Sequence, residues 1–293
     1  MTSVAVLGPG GVGGFVAGAL ARSGVPVTVV ARDATAAAIA RDGIEVESVR
    51  LGEFTAHPRA VAALELPVDV LVVATKAPAL DAALRRVRAD PGLVVPLLNG
   101  VEHLAALRER FGDRAVAGSI RIAAERVGPG RIVHTSPVVR VELAPARDDV
   151  RAFVHQLRAA EIPAKTLARE ADVLWSKLVR LNALACTTAA AGAPIGEVRA
   201  HPAWRLRLQG AVDETAAVAA AEGAAVDPAG TLAELMELGP QHTSSLHRDL
   251  EAGAPHELDA IAGAVLRAAA RHGVPAPTVA ELVALIRSRY AAA

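Results

Sequence analysis

Cysteine, aromatic residues and net charge are all scarce in this chain of 293 residues. Cys186 is the single cysteine, which excludes an intramolecular disulfide and a cysteine-based metal cluster. Aromatic residues make up 2% of the chain and hydrophobic residues 52%, so the core must be aliphatic. The formal net charge is zero, which argues against nucleic acid or a membrane surface as a partner. No basic residue precedes the first apolar run, so we expect no signal peptide, no membrane span and a cytoplasmic protein.

Lysine and asparagine are also rare. The 31 basic residues include only three lysines, which are Lys76, Lys165 and Lys177, and the two asparagines are Asn99 and Asn182. A sequence that uses arginine for surface charge has a reason to keep lysine where a proton must be released, because guanidinium stays protonated. The rare lysines and asparagines are therefore candidate functional residues. The alternative for each is an ordinary surface or loop residue.

The beginning of the chain carries its clearest motif. A short apolar run meets glycines spaced G-x-G-x-x-G, which are Gly8, Gly10 and Gly13. Strand, tight turn and helix is the context in which this motif binds the pyrophosphate of a dinucleotide. The first glycine allows the turn, the second lets the backbone approach the phosphates, and the third lets helix and strand pack closely. Gly11 and Val12 join the candidates, because N–H groups at a helix N-terminus attract phosphate. The alternative is a glycine-rich turn without a ligand.

The second predicted strand, residues 26–31, ends at Arg32. In a dinucleotide-binding fold the residue at the end of the second strand contacts the adenosine ribose and distinguishes NAD from NADP. An acid binds the 2′-hydroxyl of NAD, and an arginine accommodates the 2′-phosphate of NADP. Arg32 therefore favours NADPH as the cofactor. The alternative is that Arg32 is a solvated loop charge and that Asp33, the next residue, reads the ribose.

Strands and helices alternate up to about residue 166. Further strands are predicted at 44–49, 67–74, 93–98, 115–123, 131–134, 138–143 and 164–167, and helices at 34–41, 79–88 and 147–160. This alternation indicates an α/β fold with a Rossmann-type doubly wound sheet, and residues 128–130 suggest hairpin structure added at its edge. Afterwards only helical patterns remain, at 171–190, 202–222, 228–237, 257–272 and 278–290. We expect two domains: 1–167 binds NADP(H), and 168–293 is an all-α substrate and catalytic domain.

Four candidate residues follow the carboxyl ends of predicted strands. They are Gly8, Arg32, Lys76 and Asn99. In doubly wound sheets the ligand binds beyond these ends of the strands. We therefore assign Lys76 and Asn99 to the cofactor site, and Asn99 to the substrate site as well.

Three further motifs lie in the helical half of the chain. W-x-K-L begins at Trp175, S-S-L-x-x-D-L begins at Ser244, and H-E-L-D begins at His256. Together with the glycine motif, Lys76 and N-G at Asn99, they resemble the ketopantoate reductase family (2-dehydropantoate 2-reductases) over nearly the whole chain. Each motif is weak alone, but their number and order make the resemblance specific.

The resemblance implies NADPH-dependent reduction of a 2-oxo acid, with 2-dehydropantoate to pantoate, a step of pantothenate biosynthesis, as the first candidate. Lys177 matches the family's general acid, and Glu257 matches the active-site glutamate that positions the lysine or the substrate. Ser245 matches the residue that binds the substrate carboxylate. Lys76 and Asn99 match positions that face nicotinamide and substrate. The structural alternatives are that Glu257 starts a helix and that Ser245 is a turn residue.

The chain departs from the family on the helix that carries Lys177. Family members that reduce ketopantoate commonly have asparagines four and eight residues after the lysine, where this chain has Leu181 and Ala185. Asn182 lies roughly 140° around the helix from the lysine at ~100° per residue. It is kept as a substrate-binding candidate that needs a local distortion to share the lysine's face. Thr188 does match the family. We expect the substrate site to be more apolar on this side.

Three other functions stay open at this point. They are a reductase of a more apolar 2-oxo acid or ketone, a non-catalytic NADP(H)-binding sensor, and a dehydrogenase of the 6-phosphogluconate or 3-hydroxy acid type. The retained Lys177 and Glu257 argue against the sensor, and the typical motifs of the third class are not apparent. The expected partner is a small-molecule 2-oxo acid, and a homodimer is left open.

Overall fold

The computed structural model describes residues 2–291, and the chain forms two compact units. The first, here called the α/β unit, contains the chain up to Leu98 together with His103–Val173. The second, the helical unit, contains Asn99–Glu102 together with the chain from Leu174 onwards. Asn99–Glu102 thus belongs to the helical unit although it precedes residue 167 in the chain, so the two units are not divided at a single residue.

The secondary structure within residues 2–291 is as follows. The strands are β1 Val4–Leu7, β2 Val27–Val30, β3 Ile44–Ser48, β4 Gly52–Ala56, β5 Arg59–Val61, β6 Val68–Val73, β7 Pro91–Pro96, β8 Ala117–Arg121, β9 Ala124–Gly128, β10 Arg131–His134, β11 Arg140–Ala144 and β12 Ala164–Thr166. The helices are α1 Gly11–Arg22, α2 Asp33–Asp42, α3 Leu80–Leu84, α4 His103–Phe111, α5 Asp148–Ala159, α6 Glu170–Ala191, α7 Ile195–Ala200, α8 Pro202–Ala221, α9 Pro228–Glu237, α10 Ser245–Glu251, α11 Ala264–His272 and α12 Pro277–Tyr290. Two 3₁₀ turns, Ala77–Ala79 and Gly112–Arg114, and a π-helical turn, Asp259–Gly263, complete it.

A parallel sheet of five strands organises the α/β unit, in the order β5-β2-β1-β6-β7. Every residue of the central strand β1 is buried, as expected for a strand covered on both faces. Its last residue, Leu7, is in register with Val30 of β2 and with Val73 of β6, and Val73 is in register with Pro96 of β7. The carboxyl ends of these four strands are therefore level along one edge. The predicted doubly wound sheet is confirmed.

Two smaller sheets complete the α/β unit, in the orders β4-β3-β10-β9 and β12-β11-β8. The predicted hairpin exists as the antiparallel pair β9 and β10. It is not an addition to the edge of the parallel sheet, however, because β10 pairs with β3 in a separate sheet. The sequence pattern does not predict β4, β5 or β9, since these short strands are largely exposed and lack apolar alternation.

The predicted helix over residues 79–88 is shorter in the structure. The 3₁₀ turn leads into α3, which ends at Leu84, and the chain then pairs with an earlier segment instead of continuing the helix. Leu64 and Val87 form a parallel bridge, in which Arg88 N–H donates to Leu64 O at 2.9 Å. A tertiary contact therefore ends this helix, which the local sequence does not reveal. Helix α4 is also absent from the prediction.

The helical unit has the aliphatic core that the composition predicts. On α8, for example, Leu208, Ala211 and Val212 are fully buried. The long predicted helices are confirmed, and the structure adds the short helices α7 and α10. The helix predicted over 257–272 is confirmed as one continuous helical segment, which contains the π-helical turn and continues as α11. None of the helices within the described chain combines the length and apolar character needed to cross a membrane.

Candidate active site

The glycine-rich turn leaves β1 through a backbone conformation that favours glycine. Gly8 has a φ of +89°, and a Cβ at this position would lie 2.7 Å from Thr75 Cγ2. Its N–H donates to Val30 O at 3.0 Å, and its carbonyl accepts from Gly10 N–H at 2.8 Å. The first glycine of the motif therefore makes the tight turn that the sequence predicts.

The remaining glycines of the turn serve two different purposes. A Cβ on Gly13 would lie 2.2 Å from Gly8 O, so α1 approaches β1 only because this side chain is missing. A Cβ on Gly11 would lie 2.0 Å from Ala124 O at the start of β9. Around Gly10, by contrast, no described residue other than its immediate neighbours along the chain comes within 4 Å of the Cβ position. Gly11 and Gly13 are needed for packing, whereas the space beside Gly10 is open to a ligand.

Helix α1 begins with hydrogen-bond donors that the helix itself leaves unused. Gly14 N–H donates to Gly10 O at 2.7 Å, which is the first bond of the helical ladder. The N–H groups of Gly11, Val12 and Gly13 precede that ladder. The first turn of this described helix also contains no acidic residue. Free amides together with the positive end of the helix dipole suit a phosphate, so this turn fits the pyrophosphate of a dinucleotide.

A buried hydroxyl group lies beside the same turn. Thr75 follows β6, and its Oγ1 is buried without a hydrogen-bond partner among residues 2–291. An unsatisfied buried hydroxyl costs free energy, so a polar group of a bound cofactor would stabilise it. Sequence reasoning missed Thr75, although its position after a predicted strand was a usable signal. The next residue, Lys76, is exposed at the carboxyl end of β6 as predicted.

Arg32 and Asp33 begin α2 directly after β2, and both side chains are exposed. A second guanidinium that the sequence reasoning missed lies next to them. Arg86 Nη1 is 3.9 Å from Asp33 Oδ2 and donates to Ala62 O at 2.9 Å. Asp33 therefore has a cation beside it, which offsets part of its negative charge at this strand end. No motif signals Arg86, since only the fold brings it to this strand end.

In the helical unit, Asn99 and Glu257 form a direct hydrogen bond. Asn99 Nδ2 donates to Glu257 Oε2 at 2.7 Å, although 158 residues separate the two in the chain. Glu257 is only 6% exposed. Its backbone carbonyl accepts from Ile261 N–H at 3.0 Å, so Glu257 also begins the helical segment. The structural and the functional interpretations of this glutamate are therefore compatible, because the first concerns its backbone and the second its carboxylate.

Lys177 lies near the beginning of α6 and is half-buried. Its neighbours Trp175 and Leu178 are 2% and 1% exposed. A lysine in such a position packs its aliphatic stem against apolar neighbours and keeps its ammonium group accessible to polar ones. Lys177, Asn99 and Glu257 all belong to the helical unit.

Two adjacent serines begin α10 and have different environments. Ser244 is buried and caps the helix, since its Oγ accepts from His247 N–H at 3.0 Å. Ser244 Oγ also lies 3.4 Å from Thr188 Oγ1 of α6. Ser245 is the first residue of the helix and is exposed. The capping role therefore belongs to Ser244, and Ser245 is the exposed serine of the two.

Two family models match this chain. The model described as ketopantoate reductase PanE/ApbA matches residues 4–147, and the corresponding C-terminal model matches residues 171–290. The chain belongs to the ketopantoate reductase family. It is an oxidoreductase that acts on a CH–OH/C=O group, and the family uses a nicotinamide cofactor.

Relatives and solved structures match over the full length of the chain. The 2-dehydropantoate 2-reductase of Caulobacter vibrioides is 33% identical and is matched over 98% of this chain and 99% of its own. The crystal structure of 2-dehydropantoate 2-reductase from Geobacter metallireducens GS-15 has a TM-score of 0.89 at 27% identity, covering 98% of this chain and 99% of that one. A ternary structure of D-mandelate dehydrogenase with NADH and anilino(oxo)acetate shares the fold, with a TM-score of 0.87 at 22% identity and 99% coverage of both chains.

The structure places Asn182, a predicted substrate-binding residue, in the interior of the helical unit. Asn182 is fully buried, and its Nδ2 donates to Thr215 Oγ1 of α8 at 2.9 Å. Its Oδ1 lies 3.3 Å from Cys186 Sγ, and burial raises the pKa of this thiol to about 12. Helix α6 is regular here, so no distortion turns Asn182 towards the face of Lys177. Asn182 joins two helices within the unit.

The two positions where ketopantoate reductases commonly have asparagine differ in exposure. Leu181 is half-buried, whereas Ala185 is fully buried. Neither side chain offers a hydrogen bond. Thr188, which matches the family, donates to Leu184 O at 2.7 Å and reaches Ser244. The positions four and eight residues after Lys177 are therefore apolar, and the next position on that helix face, Thr188, is polar. Among residues 2–291, no group of three or more His, Cys, Asp and Glu residues is placed to hold a metal ion.

Proposed function

We propose that this protein reduces a 2-oxo acid to a 2-hydroxy acid with NADPH, and that 2-dehydropantoate is its first candidate substrate. The observation that carries the proposal is the partly buried hydrogen bond between Asn99 and Glu257 in the unit that also contains Lys177. The family resemblance assigns each of these residues to the active site separately. The fold brings two of them into contact across the chain, as a shared role requires.

Two parts of the α/β unit would hold the cofactor. The amides of Gly11, Val12 and Gly13 would bind the pyrophosphate beside the open position at Gly10. Arg32 would bind the 2′-phosphate, and Arg86 would keep the charge of Asp33 paired. When bound, the nicotinamide supplies the hydride to the carbonyl carbon. This charge distribution supports NADPH over NADH.

Lys177 is the proposed general acid. As the carbonyl carbon receives the hydride, its oxygen gains negative charge and must take up one proton to become the hydroxyl group of the product. The ammonium of Lys177 would donate that proton and stabilise the charge until it does so. Arginine cannot replace it in this role, because guanidinium does not release a proton at neutral pH.

Glu257 and Asn99 would orient the reacting groups. The carboxylate is held on one side by Asn99 Nδ2, which limits the directions in which its remaining lone pairs can accept. Held in this way, Glu257 can accept from the lysine or from a substrate hydroxyl. Ser245 would donate to the substrate carboxylate from the exposed start of α10. A homodimer remains a prediction, and nothing in this chemistry requires it.

A second candidate substrate follows from α6. Because Leu181 and Ala185 offer no hydrogen bond, a more apolar 2-oxo acid fits this helix as well as 2-dehydropantoate does. The test is NADPH consumption by the purified protein with a panel of 2-oxo acids, each repeated with NADH. Turnover of any member supports the proposed reaction, and the ranking of the panel separates the two substrates. An absence of turnover with the whole panel would support a cofactor-binding protein without catalysis.

A further inference from the structure

The segment Asn99–Glu102 is held to the helical unit at three points. Asn99 binds the carboxylate of Glu257. Gly100 has a φ of +84°, and a Cβ there would lie 2.3 Å from Ala260 O, so its backbone lies directly against the π-helical turn. Glu102 forms the third point through Arg267 of α11. The first point is the proposed active-site pair, and the third lies at the opposite end of the segment.

Arg267 binds two carboxylates at once. Its Nε and Nη2 donate to the two oxygens of Glu102, each at 2.8 Å, which is the bidentate geometry of a strong ion pair. Its Nη1 donates to Asp259 Oδ1 at 2.8 Å. The hydrogen bond from Arg267 lowers the pKa of Asp259. One guanidinium thus joins the segment to the turn that follows Glu257.

The π-helical turn is built to accept this arginine. Asp259, Gly263 and Arg267 follow one another at intervals of four residues. A Cβ on Gly263 would lie 2.5 Å from Asp259 Oδ1 and 3.0 Å from Arg267 Nη1, so the ion pair passes over the glycine. Arg267 Nη2 also donates to the backbone carbonyl of Asp259 at 3.1 Å. Arg267 therefore stabilises the π-helical turn and also binds the Asn99–Glu102 segment that lies against it.

From these contacts we infer that Arg267 is a positioning residue for the Asn99–Glu257 pair. By binding Glu102 on one side and Asp259 on the other, it sets the distance between the segment that presents Asn99 and the turn that follows Glu257. A single exposed ion pair contributes little to stability. Arg267 acts instead on geometry, because a displacement of about 1 Å at reacting groups can lower a rate about 10²-fold. The inference rests on the proposed function for its kinetic consequences.

The test compares Arg267→Met with a matched control on the same helix. Arg271 lies one turn further on α11 and forms a 2.8 Å ion pair with Glu222, whose carboxylate also binds His272. We expect Arg267→Met to lower kcat about 10- to 100-fold with little change in the KM for NADPH. Arg271→Met should leave both unchanged. Arg267→Lys should recover part of the loss, because lysine keeps the charge but not the bidentate geometry.

A double mutant separates positioning from a general structural effect. In an Asn99→Ala background the position of Asn99 no longer matters, so adding Arg267→Met should lower kcat little further. Gly263→Ala is a second route, since the added methyl group displaces the ion pair without removing a charge. It should lower kcat while the folded protein stays stable, because alanine favours a helix over glycine. If the fold-decrease in kcat of the double mutant equals the product of the decreases in the two single mutants, the inference is overturned.

Hydrogen exchange tests the inference without catalysis. Arg267→Met should accelerate exchange of the backbone amides of residues 100–102, and Arg271→Met should not. Equal exchange in both variants would overturn the inference even if the enzyme is active. If the wild type turns over no 2-oxo acid, the proposed function fails, and the exchange result still decides whether Arg267 holds the segment.

Discussion

Asn99 Nδ2 lies 2.7 Å from Glu257 Oε2, and this bond joins the chain just after β7 to the chain just before the π-helical turn. Glu257 is buried, so its carboxylate depends on protein donors in place of water. The bond therefore ties the orientation of one proposed active-site residue to the position of another.

Glu257→Gln should preserve the shape of the pair and remove its charge. Asn99 can still donate to the new amide oxygen, so we expect a folded protein. If the carboxylate orients Lys177 or the substrate, kcat should fall about 10²-fold, because a small displacement of reacting groups lowers the reaction rate by about this factor. Steady-state kinetics with NADPH and a 2-oxo acid measure the effect. Glu222→Gln, a second glutamate of the helical unit, is the control and should behave as the wild type.

Lys177→Ala should lower kcat far more than it weakens NADPH binding. General acid catalysis contributes ~10²–10⁴-fold, and alanine removes it completely. Lys177→Arg should not restore the rate, because guanidinium retains its proton at working pH. The measurement is kcat together with the Kd of NADPH from fluorescence titration. Retention of most activity in Lys177→Arg would show that the lysine is only an electrostatic or structural group.

Arg32→Asp should reverse or abolish a preference for NADPH. A hydrogen bond to a charged group is worth ~1.5–3 kcal/mol, so the KM for NADPH should rise on the order of ten- to a hundredfold. The KM for NADH should change little or improve. Arg41→Asp makes the same charge change at the other end of α2 and is the control. Equal affinity of the wild type for both cofactors would contradict the assignment of Arg32.

Asn182→Ala should destabilise the protein and leave its substrate KM unchanged. The substitution removes the donor to Thr215 inside the helical unit, and a buried group left without its partner costs ~1–3 kcal/mol. Urea denaturation measures this loss. Asn99→Ala is the matched comparison, because it should lower kcat with a smaller effect on stability. A raised substrate KM in Asn182→Ala would restore Asn182 to the substrate site.

The apolar side chains of Leu181 and Ala185 on α6 predict the relative kcat/KM of two substrates. 2-Dehydropantoate has a terminal hydroxyl group, and leaving it buried without a partner costs roughly 1–3 kcal/mol, or about five- to a hundredfold in kcat/KM. If Asn99 or another group binds that hydroxyl, 2-dehydropantoate should be the better substrate. If none does, an analogue with a methyl group in its place should be reduced equally well or better. Comparison of kcat/KM for the pair decides between them.

Local sequence determined the elements that carry the cofactor residues. The apolar run of β1, the glycine spacing and the helical pattern of α1 are short-range features, and the structure has each where it was predicted. The scarcity of lysine and asparagine was a less reliable indicator of which residues are functional. It singled out Asn99 and Asn182 equally, but Asn182 is buried between helices. The periodicity of α6 had already placed Asn182 away from Lys177, and that was the better guide.

Tertiary structure alone decided which residues meet. The pairing of Leu64 with Val87 shortened a predicted helix, and the pairing of β10 with β3 moved a predicted hairpin into another sheet. In the same way, Asn99 binds Glu257 and Arg267 binds Glu102 across long stretches of chain. The sequence by itself determined the apolar strands of the parallel sheet, the long helices and the chemically able residues, because those depend on neighbours along the chain. Their contacts depend on how distant segments pack, and packing follows from the burial of the whole core.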